Sequence, residues 1–81
     1  MTILSISKEA NEAVVRLDSD ELVALCNVLY QATKADNARA ITYKLYANLI
    51  IARDLSQYGH IDDFCFGNII KCREKVKEMN L

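Results

Sequence analysis

Little in this chain would interrupt a helix. Proline is absent from its 81 residues, and glycine stands only at positions 59 and 67. Proline removes an amide donor and clashes with the preceding turn, while glycine costs conformational entropy wherever a helix must hold it. A chain this poor in both favours long helices with short connections over a sheet built from many tight turns. Its apolar content of 52% supplies the surface that a folded domain must bury to offset chain entropy. The whole chain, residues 1–81, is expected to form one domain. At this size folding hides only ~60% of the surface of the unfolded chain, so a second subunit would add stability.

Residues 2–17, "TILSISKEANEAVVRL", read with period two. Leu4 and Ile6 lie on one side, "KEANE" is a polar reversal, and Ala13, Val15 and Leu17 return. The β-branched Ile3, Ile6, Val14 and Val15 favour this hairpin. The alternative is a helix over residues 7–17, because "KEANEA" suits a helix and offers no glycine for a tight primed turn. That alternative would make the fold an all-α, four-helix arrangement.

The first helix has a clear start. Asp18 stands as N-cap with Glu21 three residues on, a capping box, and Leu17 and Leu22 occupy the two positions of a hydrophobic staple. Leu22, Leu25, Cys26, Leu29 and Thr33 form its main face. After a polar connector near Lys34–Asn37, the second helix is expected from about Ala38 to Tyr58, ending at Gly59. One of its faces, Ala38, Ile41, Leu45, Leu49, Ala52 and Leu55, has the spacing of a core stripe. The roughly opposite face carries Tyr43, Tyr46 and Ile50, flanked by Arg39, Arg53 and Gln57. The third helix is expected from Asp62 to about Met79, with a seam of Cys65, Ile69, Cys72 and Val76. The expected fold is therefore α+β and mostly α, a three-helix bundle with a short N-terminal hairpin laid against it.

The stretch "YGHIDDFCFG", residues 58–67, gathers a histidine, two acids and a cysteine. Its local assignments are structural: Gly59 ends one helix, Asp62 caps the next, and Ile61 and Phe66 staple that cap. Seven residues of helix separate Cys65 from Cys72 by about 10 Å, too far for a disulfide and awkward for one zinc ion. His60 is the only histidine, and a helix start places Asp62 and Asp63 on different bearings. No phosphate loop, nucleophile elbow or metalloprotease motif occurs. The sequence accordingly predicts no catalytic residue, metal ligand or cofactor, and a protein that is not an enzyme.

Three cysteines, an odd number without the framework of a secreted scaffold, suit reduced thiols in the cytoplasm. The segment "MTILSISKEA" lacks the basic and apolar regions of a signal peptide, and no apolar run approaches the ~20 residues a membrane span needs. The formal net charge is −1, unevenly spread. Residues 1–33 carry two basic and five acidic side chains, residues 34–81 eight basic and six acidic, with Lys71, Arg73, Lys75 and Lys77 close together.

Tyrosine and arginine are enriched at the energetic centres of interfaces. The candidate partner-binding set is therefore Arg39, Tyr43, Tyr46, Ile50 and Arg53, a face that could equally be core or a homodimer interface. The expected function is a small protein-binding domain that acts by occluding a surface, as inhibitors, immunity proteins, antitoxins and phage or plasmid accessory proteins do. Self-association accompanies it, and the protein partner's identity is open. The alternative is a small DNA-binding regulator using the basic C-terminal helix.

Overall fold

The computed structural model describes residues 1–80. Two strands, β1 (Thr2–Ser7) and β2 (Glu12–Arg16), precede three helices: α1 (Ser19–Thr33), α2 (Ala40–Tyr58) and α3 (Asp63–Met79). The fold is α+β and mostly α, and residues 7–17 are a hairpin rather than a helix. The reversal is made without glycine. Asn11 takes a left-handed φ of 56°, which asparagine tolerates better than most residues, and the Ser7 hydroxyl accepts a hydrogen bond from the Ala10 amide at 3.1 Å.

The helix boundaries follow local chemistry. Asp18 accepts from the Glu21 amide at 2.9 Å, and the Asp18 amide donates to the Glu21 carboxylate at 3.0 Å, closing the capping box. Gly59 ends α2 at φ 75°, donating to the Leu55 carbonyl at 3.1 Å. Asp62 caps α3 by accepting from the Cys65 amide at 2.8 Å. The second helix begins two residues later than its sequence pattern suggests. Arg39 is its N-cap with extended backbone (ψ 158°), and the Ala38 amide donates to the Ala35 carbonyl at 3.1 Å, so Ala38 belongs to the preceding turn.

α2 is the central element. It packs against α1 and α3, while no Cα of α1 comes within 8 Å of one in α3. The core is Tyr46, Ala47 and Ile50 of α2 with Cys65, Ile69 and Cys72 of α3, and Leu29 of α1 packs against it. Cys65, Ile69 and Cys72 of the expected α3 seam are thus buried and Val76 is half-buried, but the expected α2 core stripe is largely open. Ile41 is 50% exposed, Leu45 46% and Leu55 49%, whereas Ile50 on the opposite side is fully buried. The reason is geometric: both neighbours of α2 lie toward its Tyr46 and Ile50 side, so the aliphatic stripe has no helix over it.

The hairpin does not lie against the bundle as expected. Every strand residue is exposed, and no strand Cα comes within 8 Å of a helical one. Only Leu17 and Asp18 join β2 to α1, and the extended backbone of Asp18 (ψ 177°) leads the helix away from the strand. At its root the N-terminal ammonium pairs with Glu21. The pairing slips by one residue between Ile3 and Ser5, making Leu4 a bulge. Since side chains alternate along a strand, this slip puts Ile3, Ile6, Ala13 and Val15 on one face. Thr2, Ser5, Ser7, Glu12, Val14 and Arg16 occupy the other. Without the bulge the apolar residues of β1 and β2 would divide between faces.

The resulting shape is open. The accessible surface is 6149 Å², about 1,200 Å² more than the roughly 4,900 Å² that mass scaling gives for a compact monomer of this size. The radius of gyration, 13.8 Å, exceeds the ~12 Å expected for a compact domain of this length.

Candidate functional site

The five residues proposed from the sequence are not brought onto one open face. Tyr46 and Ile50 are core residues, and Tyr43 packs beside them with its hydroxyl donating to the Thr33 carbonyl at 3.1 Å. The Tyr46 ring lies against Tyr30 of α1, centroids 5.8 Å apart, and Lys34 covers the outer face of Tyr30 at 4.2 Å. Arg39 remains exposed at the start of α2, away from Arg53. Arg53 turns inward. Its Nε donates to Asp54 Oδ1 at 3.1 Å and its Nη2 to Cys65 Sγ at 3.3 Å.

Arg53 thereby joins a polar cluster at the turn between α2 and α3. Asp54 is only 1% exposed, and its Oδ2 has no hydrogen-bond partner among the described residues. Asp62 Oδ1 accepts from the Cys65 amide, and its Oδ2 accepts from the Cys65 thiol at 3.4 Å. One oxygen each from Asp54 and Asp62 lies, with Cys65 Sγ, within 4.8 Å of the others. Burial raises the Cys65 pKa to about 11, helped by the two facing carboxylates, so the group stands as a thiol. The Cys65 amide, and then its thiol, hold the Asp62 carboxyl below its ordinary range. Cys26 and Cys72 are also free and buried, and burial raises both thiols.

Sequence reasoning took Cys65, Asp62 and His60 as neighbours along the chain and overlooked Asp54. His60 is exposed beyond Gly59, its ring nitrogen 3.1 Å from the Tyr58 carbonyl, and does not join the cluster. Asp54 was detectable in principle. It falls between Tyr46, Ile50 and Ala47 on the helical wheel, a carboxylate in an otherwise apolar sector of α2.

A second feature lies on the other side of the molecule. Leu25, Val28 and Leu29 of α1 and Leu45, Leu49 and Ala52 of α2 line an open groove of about 550 Å³, closed at one end by Met1, Val15 and Leu17. Asn48 is the one polar residue in that lining. Val15 belongs to the apolar face of the hairpin, so groove and hairpin face form one continuous apolar surface. Leu45, Leu49 and Ala52, the middle of the aliphatic stripe of α2, form one side of it.

The basic residues of α3 divide between two flanks. Lys71 and Lys75 border a groove with Tyr30 and Tyr46, whereas Arg73 and Lys77 border another with Tyr43 and Lys44. Lys75 also lies 3.8 Å from Glu78. No helix of the described residues is long and apolar enough to cross a membrane. No protein-family model, curated protein or solved structure matches the chain.

Proposed function

We propose that this chain is a non-enzymatic protein-binding domain, and that the first occupant of its apolar surface is a second copy of itself. The observation that carries this is the surplus of roughly 1,200 Å² of accessible surface. It coincides with exposed Ile3, Leu4, Ile6, Val15, Val28 and Leu45. A specific interface conceals about 800 Å² on each partner, so the surplus is more than enough to supply one subunit's share of a dimer interface. An amphipathic hairpin whose strand residues are all exposed is also marginal by itself in water. Its apolar face has a natural counterpart in the aliphatic groove of another copy.

A two-fold arrangement that lays each hairpin over the other copy's α2 would cover both apolar surfaces at once. The hairpin, with Lys8 and Arg16 against Glu9 and Glu12, carries no formal net charge to oppose this. Such a dimer would act by contact, covering or presenting a surface. That is the mode of action of inhibitors, immunity proteins, antitoxins and accessory factors, which need no catalytic group. The DNA-binding alternative has less support, since Lys71 and Lys75 lie on one flank of α3 and Arg73 and Lys77 on the other.

Amide hydrogen exchange of the hairpin tests the proposal. Strand amides of an unsupported ribbon exchange almost as fast as those of a free peptide. The expected outcome is protection of the Ile3–Ile6 and Ala13–Val15 segments that increases with protein concentration. Exchange at free-peptide rates at every concentration would overturn the assignment.

A further inference from the structure

The cluster at the α2–α3 turn has features that the dimer leaves unexplained. A carboxylate oxygen with no partner, on a side chain that is 1% exposed, is a costly arrangement for a small domain to keep. Nearby stand a second carboxylate and a thiol, held three residues apart by the capped first turn of α3. The three donor atoms come from the end of α2 and the start of α3, which otherwise meet through apolar packing around Ile50 and Ile69 and the Arg53–Cys65 hydrogen bond.

We propose that Asp54, Asp62 and Cys65 form a three-ligand site for a divalent cation of the zinc class, with water completing a tetrahedron. One sulfur and two carboxylate oxygens select a borderline cation. Calcium and magnesium prefer all-oxygen sets, and monovalent copper prefers sulfur alone. Zinc bonds of ~2.3 Å to sulfur and ~2.0–2.2 Å to oxygen place neighbouring donors ~3.5 Å apart in a tetrahedron. The three donors already lie within 4.8 Å of one another, so side-chain rotations that move them by about 1 Å close the site. Asp62 is exposed at the helix start and gives the ion an entry path.

Charge favours loading despite the guanidinium beside the site. With Cys65 as a thiol, the two carboxylates and Arg53 sum to −1. Binding forms a sulfur–metal bond, breaks the S–H bond and releases one proton to water, exchanging +1 for +2 and leaving the cluster neutral. Arg53 then acts from outside the ligand set. Its Nε already holds the Asp54 oxygen that the ion does not need, and its Nη2 already points at the sulfur that becomes a thiolate. Cys72, about 10 Å along the helix from Cys65, and the exposed His60 take no part. A bound ion would fasten the end of α2 to the start of α3 across the turn at Gly59.

Cobalt(II) is the probe, added to the full chain under reducing conditions. One equivalent is expected to produce the ultraviolet sulfur-to-cobalt charge-transfer band and the visible bands of a tetrahedral site, and zinc is expected to erase both. Zinc at a hundredfold excess over its Kd is expected to raise Tm by more than about 10 °C. Cys65→Ser removes the charge-transfer band, and Cys26→Ser retains it. Asp54→Asn weakens cobalt binding at least tenfold. Because Asp54 is buried, Asp62→Asn is the companion variant: asparagine still caps the helix, so the fold is kept while an anionic ligand is lost. Absence of a charge-transfer band at millimolar cobalt, its survival in Cys65→Ser, or unchanged affinity in Asp62→Asn would each overturn the site. None of these outcomes depends on dimerisation.

Discussion

Replacing Leu45 with glutamate separates the two faces of α2. Leu45 is 46% exposed within one chain, leaving roughly 80 Å² of apolar side chain that a partner would cover. At ~25 cal/mol per Å² this contributes about 2 kcal/mol per copy, or about 4 kcal/mol across a two-fold interface. Loss of that term weakens association roughly a thousandfold, before any cost of enclosing the new carboxylate. In the isolated chain the substitution is mild, because glutamate is a good helix former and the position faces water. Ile50→Ala is the contrast. Ile50 is fully buried, so truncation costs about 2–5 kcal/mol from a total that for this length is about 4–12 kcal/mol. The assay is thermal unfolding followed by circular dichroism over a hundredfold range of protein concentration. A dimer of this size unfolding to separate chains gains about 4 °C in Tm per tenfold concentration. Wild type is expected to show that slope, and Leu45→Glu a flat one with helical content intact. Ile50→Ala should unfold at least about 8 °C lower. A concentration-independent wild-type Tm would refute the reasoning, as would Leu45→Glu behaving like Ile50→Ala.

Three further outcomes follow from particular residues. Burial raises the thiols of Cys26, Cys65 and Cys72 and the hydroxyl of Tyr46, so the folded state favours their protonated forms. The resulting stability is fully present below the ordinary thiol value near 9 and is lost as pH rises toward about 11. Urea midpoints should therefore fall between pH 8 and 11, and a level profile would contradict the burial. Asp18→Ala, which opens the capping box, should cost about 1 kcal/mol by urea denaturation, whereas an unchanged midpoint would mean the box does not hold α1. A gel shift with random duplex at ~50 mM salt should show no retardation, since the cations of α3 divide between two flanks; a salt-dependent shift would favour the DNA-binding alternative.

What could be read in advance was local. The Asp18 box, the Gly59 stop, the Asp62 cap and the Cys65, Ile69, Cys72 seam depend on spacings within one or two turns, which the sequence displays directly. The core face of α2 was not of that kind. Periodicity sorts its residues into an aliphatic stripe and an aromatic one, but which stripe meets neighbours depends on where α1 and α3 lie. Greater hydrophobicity pointed to Leu45, while the helices packed on Tyr46 and Ile50. The detached hairpin was hidden similarly, because period two predicts a half-buried ribbon without naming the chain that buries it. Asp54 was the hardest, since its meaning arises only when Asp62 and Cys65 arrive from the next helix.

Sedimentation equilibrium of the wild-type chain, at tens of micromolar and in the presence of a chelator, tests the central claim most directly. The chain mass is 9.2 kDa. The account predicts a fitted mass of twice that value, falling to that of one chain in Leu45→Glu. A single-chain mass for wild type up to millimolar concentration would contradict it, since the apolar groove and hairpin would then remain open with no second copy to cover them.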